Sequence, residues 1–227
     1  MPFKKILIIA AHPDDEVLGC GATIARLVKE GCEAYTLILG EGITSRDKSR
    51  DIKKRENDIK NLKEDAFCAN KILGVKKVFL HNFPDNRFDS LNLIDIIKYI
   101  EDIKQKIKPD IIFTHYQNDL NTDHKITYQA VITAARPLMK ESVKEIYSFE
   151  VPSSTEWNYP LSFSPDVFFD VSSTIDYKIK AMSEYKNELR DYPHPRSLKN
   201  IRLVAENWGV KVGLKYAEAF KSVRIIK

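Results

Sequence analysis

The sequence predicts an α/β fold, a mostly parallel sheet with helices on both faces, and three observations carry that prediction. Short apolar runs rich in β-branched residues recur at residues 5–9, 32–39, 77–81 and 110–115, the composition of strands buried on both faces. Helical patterns long enough to cross back over a sheet separate them, so the repeated unit is strand, helix, strand with a right-handed crossover. The two stretches richest in chemical side chains, residues 12–16 and 117–124, each come directly after such a run. They therefore sit at carboxyl ends of strands, where open α/β sheets bind their ligands.

Element by element, the first strand stops at Pro13 and three carboxylates, and a helical pattern over 18–30 ends at Gly31 before the second strand. Gly19-Cys20-Gly21 is half of a dinucleotide fingerprint. It lacks the third glycine and stands beside acids that repel a pyrophosphate, so these small residues are read as allowing close helix packing. Residues 40–55 form a basic loop, a helical pattern then runs to Leu73 and Gly74, and 77–81 is the third strand. An amphipathic helix over 90–106 has Leu91, Ile94, Ile97 and either Ile100 or Tyr99 on its core face. After the fourth strand comes a helix over 123–135. The last third reads as strands at 145–150, 167–171 and 222–226 and helices at 174–190, 198–208 and 214–220. No repeat or linker composition divides the chain, which predicts one domain over residues 1–227.

His12 and Asp15 are three residues apart across a strand-to-helix turn, a spacing that brings an imidazole nitrogen and a carboxylate oxygen to one point. That donor pair suits zinc, and a catalytic zinc site takes three protein ligands. His124, at the start of the helix after the fourth strand, is the third candidate. Asp14 is then the carboxylate left over, placed to take a proton from a water activated by the metal. Acids at a helix start often serve only as caps. The conjunction with a second, sequence-distant Asp123-His124 pair favours a metal site.

The stretches Ala11-His12-Pro13-Asp14-Asp15-Glu16, Ile72-Leu73-Gly74-Val75, Phe83-Pro84-Asp85 and Asp123-His124 resemble the LmbE-like or PIG-L family of zinc-dependent N-deacetylases over most of the chain. The resemblance implies a Rossmann-like fold, zinc on His12, Asp15 and His124, Asp14 as general base, and removal of acetyl from N-acetylglucosamine-type amides. Those substrates are free, lipid-linked, nucleotide-linked or thiol-conjugated glycosides. Many members carry His-Pro-Asp-His where this chain has Asn121-Thr122-Asp123-His124. Asn121 can donate to an oxyanion but cannot shuttle a proton; His115 or His194 is then the candidate proton donor. Asp14, Asn121, Asp123 and His194 form the candidate catalytic set. Arg46, Arg50, Asp85 and Arg87, from loops at carboxyl ends of strands, and Trp157, from a polar-aromatic loop, are candidate substrate contacts, and the resemblance implies that Arg196 and His194 also lie near the substrate.

Composition narrows the class further. With 43% hydrophobic and 30% charged residues the chain is a folded globular protein. A net charge of +4 is too mild to support nucleic-acid binding. Three cysteines with no CxxC pair read as reduced thiols, which points to the cytoplasm. The apolar run after Lys4-Lys5 is too short for a signal peptide, and no segment is suited to span a bilayer. The expected partner is a small amino-sugar substrate, and a homo-oligomer is compatible with the sequence. A metal-dependent amidase acting on a thiol conjugate or other non-sugar amide, and a non-catalytic sugar-binding protein, are the competing readings.

Overall fold

A computed structural model describes residues 4–227. Seven strands form one sheet in the order β3-β2-β1-β4-β5-β7-β6. They are β1 (Lys5–Ala10), β2 (Glu33–Gly40), β3 (Lys77–Phe83), β4 (Ile111–His115), β5 (Glu145–Phe149), β6 (Val167–Asp170) and β7 (Ala217–Ile225). The first five are parallel, and β7 runs antiparallel between β5 and β6. The described residues also hold six α-helices: α1 (Asp15–Lys29), α2 (Glu56–Ile72), α3 (Leu93–Ile107), α4 (Thr122–Ala134), α5 (Ile175–Glu184) and α6 (Leu198–Val212).

The strand order positions the site. The chain winds outward from β1 through β2 to β3, then returns to lay β4 on the other side of β1, with Ile8 opposite Phe113. The crossovers leaving β1 and β4 therefore part to opposite faces, opening a crevice at the carboxyl ends of these two neighbours. Alternation along β1 serves both cores: Ile6, Ile8 and Ala10 join one apolar cluster while Leu7 and Ile9 join the other.

Helix α1 breaks at Cys20, whose φ of −146° and ψ of 19° are not helical. A buried ion pair fills the break. Lys178 Nζ donates to the Leu18 carbonyl at 2.7 Å, and Glu218 accepts from the backbone N–H groups of Ala22 (3.2 Å) and Thr23 (2.6 Å). The two side chains meet at 2.6 Å. One cation thus satisfies the carbonyl end of the first segment and one anion caps the second, answering the orphan groups that any helix break creates. A Cβ on Gly19 would lie 2.2 Å from the Phe149 ring, so only glycine lets this first segment rest directly on β5.

The C-terminal third departs from the sequence reading. Residues 214–220, read as helical from Ala-Glu-Ala-Phe, lie mostly in β7, because Gly213 at φ 75° ends α6 and the following segment finds two unpaired sheet edges. Helix α5 stops at Glu184 instead of continuing to residue 190, and α6 extends past Trp208 to Val212. Tertiary pairing overrides local propensity here.

Glu150, just past β5, accepts the Trp208 indole N–H at 2.5 Å. Burial pushes its carboxyl up to about 7, against the lowering effect of that hydrogen bond. The folded protein thus holds this proton more tightly than the unfolded chain, so its contribution to stability is full below about pH 4.5 and is lost as pH rises through about 7. Glu150→Gln keeps an acceptor for Trp208 and removes the charge. Thermal unfolding at pH 8 is expected to show the variant more stable by about 2 kcal/mol, with the gap closing near pH 4.5. An unchanged gap across that range would contradict this account.

Candidate active site

His12 follows β1, and its backbone N–H donates to Asp15 Oδ2 at 2.9 Å, curling the turn so that both side chains face the same point. His124 lies in the first turn of α4. Its Nε2 is 3.3 Å from Asp15 Oδ2, and His12 Nδ1 is 3.5 Å from the same oxygen. One donor atom from each of His12, Asp15 and His124 can be chosen so that all lie within 4.8 Å of one another. Asp15 Oδ1 is buried with no protein partner. A buried carboxylate oxygen without a donor, beside two imidazole nitrogens, fits the three-ligand set of a catalytic zinc-type ion.

The outward-facing ring nitrogens are held by further carboxylates, as metal-ligating imidazoles usually are. His12 Nε2 donates to Asp123 Oδ2 at 2.9 Å, and Asp123 Oδ1 in turn accepts the Phe88 backbone N–H at 2.9 Å. His124 Nδ1 lies 3.1 Å from Asp119 Oδ1, near enough for charge pairing though not aligned as a hydrogen bond. Asp119 is fixed by the Ser154 hydroxyl, the Thr155 hydroxyl at 2.5 Å and the Asn121 N–H at 2.8 Å. Despite the opposing effect of burial, Asp15 and Asp119 push His124 up to about 9. Binding a metal at neutral pH therefore requires this imidazole to give up its proton.

Asp14 stands beside the ligands in a left-handed conformation, φ 100° and ψ −28°. Its Oδ2 accepts from Arg196 Nη1 at 2.9 Å. Burial pushes the Asp14 carboxyl upward and Arg196 opposes it. The cleft in front has a volume of about 250 Å³; His12, Asp14, Asp85, Asn121, Arg46 and Arg196 are among its walls. Arg46 reaches Glu188 at 2.6 Å across it.

The structure thus brings His12, Asp14, Asp15, Asn121, Asp123, His124, Asp85, Arg46 and Arg196 to one place. Asn121 is fixed there, its Oδ1 capping α4 at Asp123 N (2.8 Å) and its Nδ2 donating to Asn86 (2.8 Å). The remaining candidates stand apart. Arg50 is committed to Glu41 through two 2.8 Å bonds, and neither it nor Arg87 lines the cleft. His194 packs edge-on against Trp157, 6.0 Å between centroids, with its Nδ1 accepting the Arg196 backbone N–H, so both rings lie beyond the cleft walls. His115 accepts the Ala11 N–H at Nε2 (2.8 Å), and burial pushes it down to about 3. It is neutral with its one proton on Nδ1, too weak an acid to protonate a leaving amine.

Sequence reading passed over Asp119 and Glu188. Asp119 had a signal, its place in the same loop as Asn121. Glu188 had none, lying in a stretch read as ordinary helix.

The profile of the family described as PIG-L, GlcNAc-PI de-N-acetylase, matches residues 7–135, more than half of the chain. This protein belongs to the PIG-L family. The uncharacterized deacetylase YaiS of Escherichia coli K12 is 35% identical over 190 residues, covering 81% of this chain and 91% of YaiS. The diacetylchitobiose deacetylase of Thermococcus kodakarensis is 25% identical, covering 97% of this chain and 83% of that enzyme. Among solved structures, N,N'-diacetylchitobiose deacetylase from Pyrococcus horikoshii superposes with a TM-score of 0.77 at 23% identity, over 98% of this chain and 85% of that one. GalB, a 4-carboxy-2-hydroxymuconate hydratase from Pseudomonas putida KT2440, gives 0.71 at 23% identity over 99% of both chains. The fold is therefore shared by PIG-L-type deacetylases and by an enzyme of another reaction class, and activity has to be argued from the site.

Proposed function

We propose that this PIG-L family protein is a zinc-dependent hydrolase that removes the acetyl group from an N-acetylated amino sugar of the N-acetylglucosamine type. The observation that carries the reading is the convergence of His12, Asp15 and His124 on one point, with His12 and the spare carboxylate Asp14 on the wall of a polar cleft. Relatives named as deacetylases of diacetylchitobiose and of N-acetyl-α-D-glucosaminyl L-malate support the substrate class.

A zinc ion bound by the three ligands would supply Lewis acidity, polarising the amide carbonyl and lowering the pKa of an attacking water. Asp14 takes the proton from that water and delivers it to the leaving amine, the one proton carrier the cleft offers at that position. Arg196, bonded to Asp14 Oδ2, opposes the upward push that burial gives this carboxyl. Asn121 lines the cleft, and in this reading the Nδ2 hydrogen not used by Asn86 serves the developing oxyanion, with the anchored Oδ1 fixing the amide's orientation. Asp123 and Asp119 hold the ligating rings in position and take no proton from substrate. Arg46 and Asp85, both on the cleft wall, contact sugar hydroxyls in this reading. The cleft is smaller than the roughly 300–1,000 Å³ of pockets for drug-sized ligands. One sugar ring with its acetamide occupies it, and whatever is linked to the sugar extends out of it.

The proposal includes a single functional domain, a reducing cytoplasmic location consistent with three free cysteines, and no nucleic-acid partner; self-association is compatible with it. Among the described residues no helix is long and apolar enough to cross a membrane. The test is a mass-spectrometric screen for loss of one acetyl group from free, nucleotide-linked and other glycosidic N-acetylhexosamines, with zinc-loaded and chelator-stripped protein. Acetate release by the loaded form, abolished by stripping and restored by zinc, is the expected result. Equal rates with and without metal, or release only from non-sugar amides, would overturn it.

A further inference from the structure

Glu16 closes the His-Pro-Asp-Asp-Glu motif, is wholly buried, and has no part in the chemistry above. Its carboxylate takes three donors. Oε1 accepts from the Tyr185 hydroxyl at 2.6 Å and from Asn70 Nδ2 at 2.9 Å, and Oε2 accepts from the backbone N–H of Asp14 at 3.1 Å. Asn70 cannot rotate away, because its amide also donates to the Ala66 carbonyl at 2.9 Å and accepts from the Thr36 hydroxyl at 2.7 Å. Asn70 of α2, itself held by Thr36 of β2, and Tyr185 at the end of α5 thus meet on one carboxylate whose remaining oxygen holds the residue proposed as base.

That residue needs holding. Asp14 is left-handed, a conformation disfavoured for residues with a Cβ and found where the surroundings over-determine it. Resting on the deacetylase reading, we infer that Glu16, braced by Tyr185 and Asn70, is a positioning residue that locks the Asp14 backbone so that its carboxylate faces the cleft. The same stretch that begins at Tyr185 also carries Arg196 to the Asp14 carboxylate, so Asp14 is gripped at both its backbone and its side chain. The plainer role for Glu16, an acid in the first turn of α1 favoured by the helix dipole, affects stability and leaves turnover alone.

Glu16→Gln separates the two. A carboxamide has one acceptor oxygen, so if it keeps the bonds from Tyr185 and Asn70 it turns an NH₂ toward the Asp14 N–H. Tyr185→Phe is the milder variant, keeping the ring in the core and removing one donor. Turnover on an N-acetyl sugar, KM, bound zinc and thermal midpoint are measured for both, alongside Asp14→Asn. The expectation is a kcat about 10- to 100-fold lower for Glu16→Gln and several-fold lower for Tyr185→Phe, as for a misplaced reacting group, with KM and zinc content within about twofold of the parent. Parental kcat in both variants overturns the inference, even with a lowered midpoint, provided Asp14→Asn is inactive. Zinc lost in proportion to kcat also overturns it, because Glu16 would then be holding the ligand Asp15. If Asp14→Asn itself turns over normally, the base assignment fails first and this inference with it.

Discussion

Replacing Asp14 by Asn is expected to lower kcat by roughly 10²–10⁴-fold while zinc stays bound at one equivalent. The range is what loss of a general base removes from a proton-transfer step. Asparagine is the informative replacement because it is nearly isosteric and tolerates the left-handed backbone that Asp14 adopts. His12, Asp15 and His124 then keep their geometry, and the variant isolates proton transfer from metal binding. It also loses the ion pair with Arg196, so a modest rise in KM is compatible with the assignment if Arg196 swings into the cleft. Metal content by elemental analysis and single-turnover acetate release are the two readouts. Zinc lost together with activity would show that Asp14 belongs to the ligand set, and parental turnover would remove it from the mechanism altogether.

Breaking the buried ion pair at the α1 kink is expected to produce the largest loss of stability. Lys178→Met leaves the Glu218 carboxylate buried without its counter-charge and the Leu18 carbonyl without a donor. Removing one partner of a buried pair typically costs about 3–5 kcal/mol, which for a chain of this length lowers the melting temperature by roughly 6–20 °C. Glu218→Gln is expected to cost less. Its amide oxygen can still accept from Ala22 or Thr23, although Lys178 loses its counter-charge. The double change to Met at both positions recovers part of the Lys178→Met loss by removing the stranded charge, and falls short of the parent because three backbone groups of the broken helix lose their partners. Thermal and urea unfolding of the three variants check this, and a double variant as stable as the parent would show that the pair is not what holds the kink. Asp15 lies in the first segment of α1, so weaker zinc binding is expected to accompany the Lys178→Met change.

Much of this was legible along the chain. The strand-ending motifs at residues 12–16 and 121–124 announce themselves because metal ligation needs particular donors at particular spacings, and few other uses place His, Asp and Asp together at a strand end. The parallel half of the sheet was equally readable, since strands buried on both faces leave near-continuous apolar runs. The last third was not. Ala217 to Phe220 is composed of residues at home in a helix, and it becomes a strand because β5 and β6 offer hydrogen bonds that only the folded sheet presents. Glu188, Arg196 and Tyr185 converge around Asp14 from a stretch whose path, after α5 stops early, no local pattern records. His194, brought near the substrate only by the family resemblance, packs against Trp157 outside the cleft.

The sequence by itself determined the family, the parallel α/β class and the chemistry available to the site, because donor identity and strand burial are written in residue types and short spacings. Only the tertiary structure decided which charged groups meet. Arg50 is spent on Glu41, Arg196 is turned to Asp14, and Asn121 is fixed as a helix cap. Those pairings join residues distant in the chain, and their strength depends on burial that exists only once the sheet and its helices have closed around them.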